Sequence, residues 1–103
     1  MKTNKLQALK LIFAEGDYGD EAYRVIEGSV EISIQRDGQK LILAILGVGE
    51  TFGEMAMVES RPRSATARAL EPTTIEVIAR QDFQQILDEG GEQLLPYLTM
   101  IFD

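Results

Sequence analysis

The residues best equipped for ligand chemistry lie between positions 49 and 69. They run Gly49-Glu50-Thr51-Phe52-Gly53-Glu54-Met55-Ala56-Met57-Val58, then Glu59-Ser60-Arg61-Pro62-Arg63-Ser64-Ala65-Thr66-Ala67-Arg68-Ala69. Gly53 permits close backbone approach and unusual dihedrals. Glu54 to Val58 suit a single helical turn. A glycine leading into a short helix presents main-chain N–H groups and the positive end of a dipole, which together attract an anion. Gly53, Glu54, Met55 and Ala56 therefore form one half of a candidate anion site. Arg63 stands nine positions after Glu54, behind Pro62, which stiffens the approach. Its planar fork of donors suits a phosphate, and Ser64 adds a hydroxyl donor. The same residues also fit a plainer reading, a common glycine turn beside a solvated Arg–Glu pair, and spacing alone leaves both open.

What the sequence lacks narrows the chemistry further. It contains no His and no Cys. Zinc sites of the usual kind are excluded, and so are Ser-His and Cys-His nucleophiles. A jelly-roll metal oxygenase needs His ligands and is excluded on the same ground. No metal and no enzymatic activity are expected. The 10 basic residues face 17 acidic ones, a net charge of −7. After Arg80 there is no Lys or Arg at all. A duplex-binding surface carries a basic face, so no direct contact with nucleic acid is expected. No apolar run approaches the length of about 18 residues that a membrane span needs, and the first ten residues lack a signal-peptide core. A cytoplasmic protein without membrane contact is expected, in keeping with the absence of cysteine.

The elements that must carry this segment read mostly as strands. Lys10-Leu11-Ile12-Phe13 and Ala22 to Glu27 are two of them, separated by the turn residues Glu15-Gly16-Asp17-Tyr18-Gly19-Asp20. In Ser29 to Gln35, Val30, Ile32 and Ile34 share one face while Glu31, Ser33 and Gln35 share the other, as in a half-buried strand. Asp37-Gly38 signals a hairpin, with Gln39 to Leu46 returning. Arg63 to Ala69 and Thr73 to Ala79 make two more strands across Glu71-Pro72. Short strands at this spacing imply a small antiparallel jelly-roll barrel. The period then changes: Phe83, Ile86 and Leu87 share a helical face, and Leu94 to Phe102 reads as the opening of another helix. That last segment is apolar enough to need a partner. Residues 1–103 are expected to be one domain, with the final helix truncated near 94–103.

Phe52-Gly53-Glu54-Met55-Ala56 followed by Pro62-Arg63-Ser64-Ala65-Thr66 resembles the phosphate-binding cassette of cyclic-nucleotide-binding domains. Catabolite-activator-type regulators, kinase regulatory subunits and gated channels carry this cassette. The Gly16-Asp17…Gly19-Asp20-Glu21 and Glu27-Gly28-Ser29-Val30 turns resemble the family's earlier turns, so the likeness runs from about Leu9 to Leu87. It implies a regulatory module that binds cyclic AMP or cyclic GMP. Glu54 would accept from the ribose 2′-hydroxyl, and Arg63, partly neutralised by a neighbouring Glu54, would pair with the cyclic phosphate. The N–H groups of Gly53 to Ala56 and of Ser64 would complete the phosphate shell. Ile32 and Leu43, each read as inward-facing, would meet the base. The resemblance gives no ligand role to Arg61 or Arg68. In kinase-type relatives a Thr after the cassette arginine accompanies cyclic GMP; Ser64 offers a similar hydroxyl, yet Ser also occurs there in cyclic AMP-binding bacterial regulators, and the reading leans to cyclic AMP. The final helix would serve a homodimer or an effector domain. The alternatives are the same fold sensing another effector, or a protein-interaction domain that binds no nucleotide.

Overall fold

A computed structural model of the chain describes residues 2–57, 61–82 and 85. Eight strands form two four-stranded antiparallel sheets packed face to face as a jelly roll. One sheet has the order β1 (Lys2–Leu6), β8 (Thr73–Ile78), β3 (Ala22–Glu27), β6 (Thr51–Phe52). The other runs β2 (Leu11–Phe13), β7 (Thr66–Ala69), β4 (Val30–Arg36), β5 (Gln39–Leu46).

The core between the sheets is built by the apolar member of each alternating pair. Val30 and Ile32 of β4, Ala67 of β7, Val25 of β3, and Ile75 and Val77 of β8 are buried there with Phe13, Tyr23, Leu46 and Phe52. Ala67 and Ala69 of β7 are fully buried, and Ala67 pairs with Phe13, one of three neighbouring aromatic rings. Asp37 and Gly38 both take positive φ (54° and 75°), as a type I′ hairpin turn requires.

Three features depart from strict alternation. β1 is polar and mostly exposed, held by pairing with β8, so its sequence carries no hydrophobic period. The segment expected to be extended from Arg63 joins the ladder only at Thr66. Along β5 the register with β4 shifts: Ile32 pairs Ala44 while Ser33 pairs Ile42. Leu43 is thus the extra residue of a β-bulge and is 40% exposed, whereas Ile32 is 1% exposed. Ile32 lies on the buried face, as read, and at Leu43 the bulge interrupts the strict alternation on which the reading was based.

Residues 80–82 are helical, and the Asp82 carboxylate accepts the Ala79 N–H at 3.1 Å, as an acidic residue in a first turn can. The expected helical face of Phe83, Ile86 and Leu87, and the helix from Leu94 onward, lie outside the described residues. Among the described residues, no helix is long and apolar enough to cross a membrane.

Candidate functional site

The short β6 strand delivers Phe52 into the core, fully buried, and the chain then turns at Gly53. Gly53 has φ +78°, a value that only glycine adopts freely. A single 3₁₀ turn follows, Glu54–Met57, slightly tighter than the α-turn expected. Glu54 opens it and is 2% exposed, and Met55 is half-buried. Ala56 lies inside the turn. Fully exposed Pro62 leads back to Arg63, which is 3% exposed although its neighbour Ser64 is open to solvent.

An arginine this buried needs partners for its charge. Main-chain carbonyls and aromatic rings supply described partners. Arg63 Nη1 donates to the Gly53 carbonyl at 3.0 Å, and Nη2 donates to the Glu21 carbonyl at 2.9 Å. Its Cζ lies 4.2 Å from the centroid of the Phe13 ring and 5.9 Å from that of Tyr23. Carbonyl dipoles and aromatic faces therefore stabilise the cation. Nε is buried without a hydrogen-bond partner among the described residues. A guanidinium has more donors than the two used here, and an unused buried donor is costly. An anionic oxygen at the cassette would satisfy it, so the arginine fits a phosphate.

The loop between β2 and β3 fixes this arrangement from the other side. The Arg63 N–H donates to the Asp17 carbonyl at 2.7 Å, and the Arg63 carbonyl accepts from the Gly16 N–H at 2.8 Å. Glu15 ties the same loop to β4 by accepting from the Gln35 N–H and from Arg36. The Arg36 guanidinium, then that N–H, hold the Glu15 carboxyl below its ordinary pKa. A Cβ added at Gly19 would lie 2.7 Å from Arg63 Nη2, and one at Gly53 would lie 2.7 Å from Nη1. Both glycines leave room for the guanidinium. The Tyr23 hydroxyl donates to Glu21 Oε1 at 3.2 Å. Burial, then the Glu21 charge, pushes it up to about 12, so it remains a neutral donor at physiological pH.

The structure brings Gly53, Glu54 and Arg63 to one place, with Met55 and Ala56 in the adjoining turn and Ser64 next in the chain. Ile32 on β4 shares the core with Phe13 and Phe52, and Leu43 lies on β5. Arg61 is exposed, and Arg68 is turned to the Leu9 carbonyl at 2.9 Å. Sequence reading missed Phe13, Gly19 and the Glu21 carbonyl. The carbonyl has no side-chain signature, and Phe13 reads as ordinary core. Only Gly19, second glycine of an acidic turn, offered a signal.

Residues 3–89 match the cyclic nucleotide-binding domain family, and the chain belongs to it. It is 39% identical over 79 residues to the cyclic AMP receptor protein of Thermus thermophilus, covering 76% of this chain and 37% of that protein. It is 34% identical to the regulatory subunit of cAMP-dependent protein kinase from Yarrowia lipolytica, covering 90% of this chain and 24% of that protein. The chain thus spans well under half the length of these curated relatives. The EAL enzyme Bd1971 in its half-site-occupied form superposes with a TM-score of 0.83 at 35% identity, over 94% of this chain and 89% of that one. The same enzyme has been solved with cyclic AMP and with cyclic GMP bound, with TM-scores of 0.78 and 0.79. Each of these two forms is 34% identical over 94% of this chain and 27% of that one.

Proposed function

We propose that this chain is a sensor module for a cyclic nucleotide, with cyclic AMP preferred over cyclic GMP, and that it does no chemistry on its ligand. The observation that carries the reading is the guanidinium of Arg63, buried, fixed at two donors and with Nε unused, directly beside the Gly53 turn. A cyclic phosphodiester is a compact monoanion. On a chain of net charge −7 long-range attraction is unfavourable, so affinity must come from such local donors.

In this reading Arg63 pairs with the exocyclic phosphate oxygens. The N–H groups of Gly53, Glu54, Met55, Ala56 and Ser64 complete the shell. Glu54, acceptor only when ionised, takes the ribose 2′-hydroxyl. Leu43, exposed beside the β4–β5 bulge, meets the base, and Ile32 backs it from within the core. The preference for cyclic AMP draws on the likeness to the cyclic AMP receptor protein and to the regulatory subunit of cAMP-dependent protein kinase. The module works in the cytoplasm, contacting neither DNA nor membrane itself. Ligand acts by favouring one of two arrangements of the segment beyond the barrel, which reaches a second copy or an effector domain through the apolar stretch from Leu94.

Calorimetric titration with both nucleotides tests this reading. Saturable binding is expected, tighter for cyclic AMP, and strongly weakened in Arg63→Ala and Glu54→Ala. Absence of heat with either nucleotide on folded protein overturns the reading.

A further inference from the structure

We propose that Phe13 is a positioning residue for the phosphate clamp, its ring fixing the plane in which the Arg63 guanidinium is offered to the ligand. The inference rests on the reading of Arg63 as the phosphate partner and deepens it. The two hydrogen bonds of Arg63 lie at its edges, on the carbonyls of Gly53 and Glu21. They do not by themselves fix its plane. Phe13 supplies the missing constraint from below, at 4.2 Å from the ring centroid to Cζ.

Phe13 is itself held rigidly. Its ring is 5.9 Å from that of Tyr23 and 6.0 Å from that of Phe52, and those two stack at 5.3 Å. The β2–β7 register shifts between Leu11 and Phe13, which places Phe13 opposite Ala67, where the small partner leaves room for a ring. Both Phe13 and Arg63 are buried, and a cation on an aromatic face is worth most where water is excluded. An arginine left to itself samples many rotamers and loses that freedom on binding. A guanidinium already seated on a ring avoids much of that loss, which appears as affinity. Leu or Ile at position 13 would fill the core but present no negative face to the cation.

The experiment replaces Phe13 by Leu and, separately, by 4-fluoro-, 3,5-difluoro- and 3,4,5-trifluorophenylalanine in the 103-residue chain. Fluorination keeps the ring's shape and apolar character while draining its negative face. Two quantities are read: affinity for cyclic AMP and cyclic GMP by calorimetry, and the Arg63 Nε–H resonance in protein without nucleotide. Affinity is expected to fall about three- to tenfold in Phe13→Leu and stepwise with each added fluorine. The Nε–H resonance should lose its ring-current shift in Phe13→Leu. A packing role alone predicts that the fluorinated proteins bind like wild type, and that result overturns the proposal. Should Phe13→Leu not fold, the fluorinated series carries the test. If wild type binds neither nucleotide, the functional reading fails. The positioning role, which rests on that reading, then falls with it, whereas nucleotide binding that fluorination leaves unchanged overturns the positioning role alone.

Discussion

Around Arg63 the polar contacts are made before any ligand is considered, whereas along β5 apolar side chains stand open. The arginine is 3% exposed, hydrogen-bonded at both terminal nitrogens, seated on Phe13 and flanked by two glycines. On β5, Leu41, Ile42, Leu43 and Ile45 are between 40% and 60% exposed. One region is rigid and, in the proposed function, preorganised for a small, invariant anion. The other offers apolar surface of loose specification. Recognition of phosphate needs donors at fixed positions, and rigidity there lowers the entropic cost of binding. Recognition of a base by apolar contact tolerates more variation in shape. On the proposed function, this division explains why the ligand class is specified more sharply than the base.

The strongest way to break this comparison is at the clamp. Arg63→Ala removes the charge and two donors and leaves the Gly53 and Glu21 carbonyls without their partner. Binding should weaken by at least about 2 kcal/mol, or roughly thirtyfold, the usual scale for truncating one side of a buried charged contact. Titration calorimetry with cyclic AMP measures it. Unchanged affinity would mean that the preorganised region is structural and that the anion binds elsewhere.

The sequence made the two regions legible to different degrees. The barrel was readable because Val30, Ile32 and Ile34 alternate cleanly and Asp37-Gly38 marks its hairpin. The cassette was readable because Gly53, Glu54, Arg63 and Ser64 stand in a specific order and spacing. The manner in which Arg63 is held was not. Its partners are main-chain carbonyls and a ring contributed by β2 and the loop after it, about 50 residues away in sequence. Such contacts depend on topology, which brings the Asp17 carbonyl to the Arg63 N–H. The bulge at Leu43 was not legible for a similar reason: it arises from pairing geometry and leaves no mark in an all-apolar run. β1 was missed because a polar edge strand has no hydrophobic period.

The ribose acceptor is the next test of the rigid region. Wild type should prefer cyclic AMP over its 2′-deoxy analogue by about tenfold or more, the scale of a hydrogen bond to a charged group. Glu54→Ala should bind the two analogues alike. A preference that survives in Glu54→Ala would assign the sugar to another residue. The glycines then sharpen how the clamp is built. Gly53→Ala places a Cβ 2.7 Å from Nη1 at a backbone φ of +78°, so affinity and melting temperature should both fall. Gly19→Ala crowds Nη2 at the same distance without a positive φ. There affinity should drop about three- to tenfold with a smaller thermal change, because the far end of a side chain moves more cheaply than backbone. Equal thermal losses in both variants would show that crowding the guanidinium, rather than the backbone φ at Gly53, sets the thermal cost.

The smallest effect is expected in the open region, and it separates Leu43 from Ile32. Leu43→Ala trims a side chain that is already 40% exposed, so the fold should lose little. Affinity for either nucleotide should fall only about fivefold, the value of roughly 1 kcal/mol for a partial apolar contact. Binding of ribose 3′,5′-cyclic phosphate, which has no base, should be unaffected. Ile32→Ala behaves in the opposite sense. Ile32 is 1% exposed, and a cavity there costs about 2–5 kcal/mol of stability whatever is bound. Its melting temperature should drop sharply, with a modest change in affinity. If Leu43→Ala weakens the baseless ligand as much as the nucleotides, β5 acts on the phosphate clamp through the barrel, and the two regions are one coupled unit.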